Sequence, residues 1–499
     1  MPSATLILPL ALLLASLRPA TSRRADLAWA VMLAITVAMA CQQVAPILPV
    51  PLDRDAQIIR VACARFVPFG DWNHPFLSYL LNVPARFSSD PTVVRLVPAL
   101  WAVLDTVALL ILGARIAGRP VGALAAIWFA VEIPRRIAVL EIGDWDLAGL
   151  VLLAMVGWLH ADRQARGARA AVETALLIGW GFVSSYLMVI AGAAMSAALW
   201  LDRRPESRAA RWASVPAVAA TGLWLVHVFT HGAEIHASAG GVSQWQNVLP
   251  EFWSEWPVGR ATVMVLPMGV GVAWAATRWR EAWARLTLLA LALVPLAVLG
   301  GASGSHVNGG YYVGLVTPLW TLVAAGGTWA LLRRAGEAIG GTRGPLVSGV
   351  ASVPVLWGTL LLPGTGHAPP VWSDVHDVVA PWALRTHEDT RPILTNIPGL
   401  ETNILWAWDR QGWPGFRGVA FPMESPLRDR LVTTRCLTCA ADLACAAKQA
   451  DGWVMFWRSD DPAEQACVDA WAARCDKVGE LTTGQWYREA VQLDCRSPH

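Results

Sequence analysis

The sequence predicts an all-α polytopic membrane bundle of about 12 transmembrane helices, followed by a small extracytoplasmic α/β domain. Three observations support this fold class. Hydrophobic residues make up 55% of the 499 residues and charged residues only 15%, whereas a soluble globular protein has roughly 25% charged residues. Apolar stretches of about 17–25 residues, long enough to span a bilayer, recur through 1–362. The composition then changes, because 363–499 has fewer apolar runs and many Asp, Trp and Cys residues.

The apolar stretches define the candidate transmembrane helices of the first domain. They lie at 4–17, 26–45, 96–114, 120–133, 147–159, 172–200, 213–230, 261–276, 286–302, 310–332 and 345–362. The segment 172–200 is long enough for two short helices, and we expect the break near Gly179-Trp-Gly181, where glycines allow a turn. The segment 4–17 has no basic region before its apolar run, so an uncleaved first helix is predicted rather than a signal peptide.

Arginines predict the orientation of this bundle in the inner membrane. They cluster in alternate loops, whereas 231–258 and 303–309 contain no Arg or Lys. The positive-inside rule places the arginine-rich loops in the cytoplasm, and both termini with 363–499 outside. These loops hold Arg115, Arg119, Arg163, Arg166, Arg169, Arg203, Arg204, Arg208, Arg211, Arg278, Arg280, Arg285, Arg333, Arg334 and Arg343. Because they form no single basic patch, no nucleic-acid partner is predicted.

The C-terminal region 363–499 is predicted to be a cysteine-rich α/β domain. The runs 391–397 and 452–457 resemble short buried strands, and Ala463–Lys477 and Gly484–Leu493 are predicted to be helical. An even cluster of cysteines in such a domain is typical of disulfides formed in an oxidising compartment. A zinc site is the alternative, although a second Cys-x-x-Cys pair is missing. The cluster comprises Cys436, Cys439, Cys445, Cys467, Cys475 and Cys495.

Two aspartate pairs with the same spacing are the strongest indication of chemistry. Asp53-Arg-Asp55 lies in the predicted external loop 46–95, and Asp144-Trp-Asp146 lies in the predicted external loop 134–146. Carboxylates at positions i and i+2 of an extended chain point the same way, so each pair can offer oxygens to a cation or a phosphate. Acidic residues in a solvated loop are the alternative interpretation of either pair taken alone.

The first external loop resembles that of the GT-C superfamily of polyprenyl-phosphate-sugar-dependent glycosyltransferases. This superfamily includes the protein O-mannosyltransferases and the aminoarabinose transferase of lipid A. The resemblance is carried by Asp53 or Asp55, by His74-Pro75-Phe76-Leu77 and by Arg95-Leu96-Val97-Pro98. It continues more loosely through Tyr311-Tyr312 and Pro318. Asp144-Trp-Asp146 is similar to the second Asp-x-Asp of oligosaccharyltransferases, which helps to hold a divalent cation.

The resemblance implies a membrane glycosyltransferase that moves a sugar from a polyprenyl-phosphate donor to an extracytoplasmic lipid, glycan or protein. A carboxylate near a low-dielectric surface suits the role of general base, for which Asp53 and Asp55 are the candidates. Asp144 and Asp146 are candidate ligands of Mg²⁺ or Mn²⁺. Arg135 and Arg136 are candidate phosphate ligands, with interfacial snorkelling as the alternative. Further candidate substrate-binding residues are His74, Glu141, His306 and Tyr311.

Asp105 lies inside an apolar segment, where a charge costs roughly 2.5–3.5 kcal/mol on insertion scales. We expect it to face the interior of the bundle, with a structural rather than a catalytic role. Two other functions remain open from the sequence. One is a transporter or flippase of lipid-linked sugars, although no paired inverted repeat is evident. The other is a non-catalytic GT-C-like scaffold whose cysteine-rich tail binds a partner.

Overall fold

The protein is described here from a computed structural model. It describes residues 23–49, 82–88, 90–130, 139, 145–185, 187–237, 258–301, 314–340, 382–387, 391–395, 404–405, 407–408, 430–433, 452–457, 462–481 and 490–495. The chain divides into two compact units, one of long apolar helices and one that contains the C-terminal sheet.

Apolar helices build the first unit, and they follow the predicted segments closely. They are α1 (Arg23–Val44), α2 (Pro91–Ala117), α3 (Arg119–Ala130), α4 (Trp145–His160), α5 (Ala168–Ser184), α6 (Met188–Trp200), α7 (Arg208–Ala237), α8 (Val258–Ala276), α9 (Ala282–Gly301) and α10 (Thr317–Gly340). Within the described residues, three stretches are long and apolar enough to cross a membrane: Trp29–Ile47, Pro91–Ala117 and Gly314–Ile339. The predicted segments 4–17 and 345–362 lie outside the described residues, so the number of spans stays a prediction.

The segment 172–200 does form two helices, but the predicted position of the break is wrong. Helix α5 continues through Gly179 and Gly181 and ends at Ser184, and the next residue, Ser185, is extended with φ −158° and ψ 136°. Gly181 has a packing role, since a Cβ atom placed on it would lie 3.0 Å from Cε of Met188. The Ser184 hydroxyl donates a hydrogen bond to the Gly181 carbonyl at 2.7 Å and helps to terminate the helix.

Glycines bring pairs of these helices into backbone contact. A Cβ atom on Gly113 of α2 would lie 2.8 Å from Cα of Gly122 on α3, and one on Gly327 of α10 would lie 2.6 Å from Cα of Gly271 on α8. Real Cβ atoms essentially never approach another atom this closely, so larger residues would push the helices apart. Lipid tails are as apolar as the side chains they replace, and membrane helices therefore depend on such close packing.

The arginine-rich loops meet at one end of the helices, as the charge pattern predicts. Arg204 forms ion pairs with Asp162 at 2.7 Å and with Asp202 at 2.8 Å. Nη1 of Arg285 donates a hydrogen bond to the Leu201 carbonyl at 3.4 Å, and the His160 ring is hydrogen-bonded to the backbone of Arg115. The loops that follow α2, α4, α6 and α8 therefore share one side of the bundle. The predicted assignment of that side to the cytoplasm is not tested by these contacts.

A mixed sheet forms the core of the second unit. Its strands are β1 (Ile393–Thr395), β2 (Leu431–Thr433), β3 (Gly452–Trp457), β4 (Asp476–Leu481) and β5 (Ala490–Cys495). Their order is β2-β1-β3-β5-β4, with parallel pairs among β2, β1 and β3 and antiparallel pairs among β3, β5 and β4. Helix α11 (Pro462–Ala472) packs Val468 and Trp471 against Val454 and Leu493. Strands were predicted at β1 and β3, and both predictions are confirmed.

Two predicted helices of this unit are wrong in whole or in part. Ala463–Lys477 is helical only to Ala472, and Asp476 and Lys477 begin β4. The predicted helix Gly484–Leu493 ends in a strand instead, because Ala490–Cys495 pairs antiparallel with β3 and places Leu493 opposite Val454. Val491, Leu493 and Cys495 alternate along this strand and share one cluster of buried residues. Pairing with a distant strand thus outweighed the local helical pattern.

The sheet is stabilised at its edge by a disulfide and an ion pair. Cys475 and Cys495 are joined by a disulfide across a sequence separation of 20. Beside it, Nη1 of Arg391 lies 2.9 Å from Oδ1 of Asp494, and its guanidinium lies over the Trp453 ring at 5.0 Å. One of the predicted disulfides is therefore present. Cys436, Cys439 and Cys445 lie outside the described residues, as does the side chain of Cys467.

We expect Asp202→Asn to lower the thermal stability of the detergent-purified protein above about pH 4. Burial raises the pKa of the Asp202 carboxyl, but hydrogen bonds and the charge of Arg204 outweigh burial and hold it below the ordinary value. The carboxylate therefore stabilises the fold at neutral pH and loses this effect as the pH falls below the ordinary aspartate pKa of about 3.9. The measurement is the midpoint of unfolding between about pH 3 and 7.

Glu206→Gln is the matched control, because Glu206 is an exposed acid in the same loop. Its unfolding midpoint should follow the wild-type curve. Equal curves for Asp202→Asn and Glu206→Gln would contradict the role given to the Arg204 ion pairs.

We expect replacement of Cys475 and Cys495 by serine to destabilise the sheet by about 3 kcal/mol, the effect typical of a disulfide that closes a loop of this length. The measurement is thermal unfolding with and without a reducing agent. Reduction should lower the midpoint of the wild type more than that of the double variant. Cys41→Ser serves as the control, since Cys41 is an exposed free thiol.

Candidate active site

The structure describes one of the predicted site residues with its side chain. Asp146, a predicted metal ligand, is the second residue of α4 and is 4% exposed. The predicted residues Asp53, Asp55, His74, Arg135, Arg136, Glu141, Asp144, His306 and Tyr311 lie outside the described residues. Their proximity to Asp146 stays a prediction.

Asp146 is buried at the start of α4, where an acid is electrostatically favourable. The first turn of a helix has unpaired N–H groups and the positive end of the helix dipole, which stabilise a nearby carboxylate. Carboxylate oxygens are also the ligands that Mg²⁺ and Mn²⁺ prefer. Within the described part of the chain, no group of three or more His, Cys, Asp or Glu side chains surrounds a common point. Any complete metal site therefore requires ligands outside the described residues.

One turn further into the bundle, three helices meet at the carboxylate of Asp105. This residue of α2 is 1% exposed, as expected for an acid that faces the interior. A Cβ atom placed on Gly149 of α4 would lie 2.6 Å from Oδ2 of Asp105 and 3.3 Å from Cγ of Pro318, at the start of α10. The absence of a side chain at Gly149 therefore makes the space that the Asp105 carboxylate occupies. We name Asp105, Gly149 and Pro318 the carboxylate junction.

The three helices of the carboxylate junction are those that follow the predicted site loops. Helix α2 begins at Pro91, within the end of the loop 46–95 that contains Asp53, Asp55 and His74. Helix α4 begins at Trp145, between the two aspartates of the second pair. The helical stretch Gly314–Ile339 starts three residues after Tyr311. Three sequence segments with candidate chemistry thus lead directly into helices that touch one another.

The ends of the first loop are also attached to the start of α2. Arg95 is fully buried, and its Nη1 donates hydrogen bonds to the carbonyls of Ile47 at 3.4 Å and Leu48 at 3.2 Å. At the other end of the loop, Nδ2 of Asn82 donates to the Val94 carbonyl at 2.9 Å. Arg95 therefore holds the chain only five residues before Asp53. This gives the Arg-Leu-Val-Pro run an anchoring role.

Sequence reasoning noticed Asp105 and Arg95 but missed Gly149. A single glycine in an apolar helix has no distinctive pattern, and its importance comes from the acid packed against it. The signal that could have found it is the spacing from Asp146, because residues three apart lie on the same side of a helix.

Comparisons with known proteins support a fold rather than a close relative. No protein-family model matches the sequence, and no curated protein matches it. Among solved structures, the oligosaccharyltransferase of Archaeoglobus fulgidus in complex with Zn and sulfate matches with a TM-score of 0.55 at 12% identity, over 85% of this chain and 67% of that chain. The oligosaccharyltransferase AglB of the same organism, in complex with an inhibitory peptide and a dolichol-phosphate, matches with a TM-score of 0.53 at 12% identity, over 91% and 72%.

ArnT from Cupriavidus metallidurans in the apo state matches with a TM-score of 0.50 at 13% identity, over 94% of this chain and 98% of that chain. The oligosaccharyltransferase and the aminoarabinose transferase are GT-C membrane glycosyltransferases. Both classes were named by the sequence resemblance before any coordinates were considered. The chain is a membrane protein with the fold of the GT-C superfamily.

Proposed function

We propose that the protein is a membrane glycosyltransferase that moves a sugar from a polyprenyl-phosphate donor to an extracytoplasmic acceptor. The observation that carries this proposal is the carboxylate junction. It joins the helices that follow all three loops with candidate site residues, in a chain with the GT-C fold. The AglB structure that this chain resembles contains a dolichol-phosphate and an inhibitory peptide, a lipid phosphate and a ligand of peptide class. The acceptor class, whether lipid, glycan or protein, is left open.

In the proposed reaction, an acceptor hydroxyl or amide attacks the sugar carbon bonded to the lipid phosphate. The acceptor–sugar bond forms, the bond from that carbon to the phosphate oxygen breaks, and the electron pair leaves with the polyprenyl phosphate. Asp53 or Asp55 takes the acceptor proton as general base. Arg135 and Arg136 stabilise the negative charge on the departing phosphate through bidentate hydrogen bonds.

A divalent cation fits the acids near the start of α4. Asp146 contributes a buried carboxylate there, and Asp144 lies two residues before it, so both can offer hard oxygen ligands. A bound Mg²⁺ or Mn²⁺ would neutralise charge on the donor phosphate. His74, Glu141, His306 and Tyr311 complete the proposed substrate site through the loops that precede the junction helices. The fold neighbour solved with Zn and sulfate also holds a divalent cation and an anion.

The active site is proposed to face the outside of the cytoplasmic membrane, on the side opposite the arginine-rich loops. Two features support this orientation. The positive-inside rule places the loops joined by Arg204 and Arg285 in the cytoplasm. The Cys475–Cys495 disulfide of the sheet unit is typical of an oxidising compartment. Membrane lipids and the lipid-linked donor are then the expected partners.

We expect Asn substitutions at Asp53, Asp55, Asp144 and Asp146 to separate the proposed roles. Loss of the general base should lower the rate of sugar transfer by about 10²–10⁴-fold, because one of the two candidates accepts the acceptor proton. Asp144→Asn and Asp146→Asn should instead raise the Mg²⁺ or Mn²⁺ concentration needed for half-maximal activity. The assay is transfer of labelled sugar from polyprenyl-phosphate donors in membranes.

Glu337→Gln is the control for these variants, since Glu337 is an exposed acid near the far end of α10. It should transfer sugar at the wild-type rate. Full activity in all four Asn variants would remove the enzymatic proposal. Consumption of the donor by the purified protein distinguishes transfer from transport, because a flippase leaves its substrate intact.

We expect Arg95→Gln to reduce sugar transfer without changing the acids themselves. The change removes the guanidinium that anchors the Ile47 and Leu48 carbonyls, and an unsatisfied buried carbonyl costs about 1–3 kcal/mol. The chain leading to Asp53 then loses its fixed start. Limited proteolysis of membranes should show faster cleavage in 49–81, and a wild-type cleavage rate would contradict the anchoring role.

A further inference from the structure

The acid at the carboxylate junction has no role in the chemistry proposed above. Asp105 lies in the middle of α2, ten residues after Arg95 and ten before Arg115. Its burial is nearly complete, at 1% exposed. An apolar residue of similar volume would fill the same space without the cost of removing an acid from water. Simple packing therefore gives no reason for an acid at this position.

We propose that Asp105 is a positioning residue of the candidate active site. Its carboxylate, seated on Gly149 and next to Pro318, sets the rotation and depth at which α4 and α10 present their outer ends. This inference rests on the proposed function and deepens it, because the outer end of α4 contains Asp146. Asp105 itself touches no reacting group in this proposal.

The contact at Gly149 is specific in the way that a positioning role requires. Oδ2 and Cγ of Asp105 lie 2.6 Å and 3.4 Å from the place that a Cβ atom would take, so the carboxylate excludes every side chain at residue 149. Asp146 precedes Gly149 by three residues, which places both residues on one side of α4. A shift of α4 that accommodates a methyl group at Gly149 must therefore also move the carboxylate of Asp146.

The same junction connects α4 to α10. Pro318 approaches the Gly149 position to 3.3 Å from the other side, and α4 also packs against the turn Gly314–Val316. Pro318 has a fixed φ and no N–H group, so the start of α10 is stiff. Displacement of α4 is thus transmitted to the segment that follows His306 and Tyr311. One buried carboxylate coordinates the positions of two site-bearing segments.

Helix α4 offers a matched control for this contact. A Cβ atom on Gly157 would lie 3.5 Å from Cδ1 of Leu112, an ordinary van der Waals distance, and would meet nothing closer. Gly149→Ala and Gly157→Ala therefore add the same methyl group to the same two helices, α4 and α2. Only the first methyl group meets the carboxylate.

The test is a double-mutant cycle with Asp105→Ala, Gly149→Ala and both together, plus Asp105→Asn and Gly157→Ala, in the full chain purified in detergent. Undecaprenyl phosphate in the presence of Mn²⁺ is the binding probe, measured by native mass spectrometry. Thermal unfolding of each variant reports the contact independently of any ligand. The distinction between packing and positioning comes from comparing the two cycles.

Gly149→Ala should weaken binding of undecaprenyl phosphate by about tenfold, and Gly157→Ala should leave it within about twofold of the wild type. The double variant should bind within about threefold of Asp105→Ala alone, because removal of the carboxylate makes room for the methyl group. Asp105→Asn, which keeps the shape of the side chain, should remain within about threefold of the wild type. A catalytic carboxylate would not tolerate that change.

Additive losses of binding in the double variant would overturn the positioning role. Coupling in thermal unfolding with unchanged probe binding would also overturn it, because Asp105 would then only pack. A wild-type protein that binds no undecaprenyl phosphate and consumes no polyprenyl-phosphate donor would overturn the proposed function itself. That failure is visible in the wild type before any variant is compared.

Discussion

Close contact between helix backbones is the constraint on which the membrane unit depends. In lipid, apolar side chains gain little by leaving one hydrocarbon environment for another, so helices associate through tight packing and through polar contacts. Gly113 against Gly122 and Gly271 against Gly327 show this directly, since no side chain fits at either crossing. The same rule operates at Gly149, where the space left by a missing side chain is filled by a carboxylate of the neighbouring helix.

Polar groups are treated differently at the two ends of the bundle. At the arginine-rich end, Arg204 pairs with Asp162 and Asp202, and Glu173 accepts hydrogen bonds from Trp158 and Arg169. Each of these acids has a printed cationic or N–H partner, as buried charges require. These contacts join successive loops and explain why the loops meet. At the other end, Asp105 and Asp146 are buried on helices that lead away from the candidate site loops.

The two ends therefore suggest a division of labour within one bundle. Ion pairs between loops hold one end together and leave little exposed charge for a substrate. The opposite end contains Asp146 at a helix start, the anchor Arg95 and the carboxylate junction, close in sequence to every residue with candidate chemistry. A glycosyltransferase of the GT-C fold needs such an arrangement, because donor and acceptor must meet groups from separate loops in one fixed geometry.

Local composition and periodicity by themselves determined most of the membrane architecture. The apolar segments predict helices α1 to α10 because a bilayer demands long apolar runs, and the arginines predict which loops meet because charge distribution is a property of the chain alone. Burial of Asp105 followed from the same reasoning. Only the tertiary structure decided where α5 ends, that Ala490–Cys495 is a strand, and that Gly149 touches Asp105. Each of these depends on a partner distant in sequence, Met188 excepted, and no local pattern contains the position of that partner.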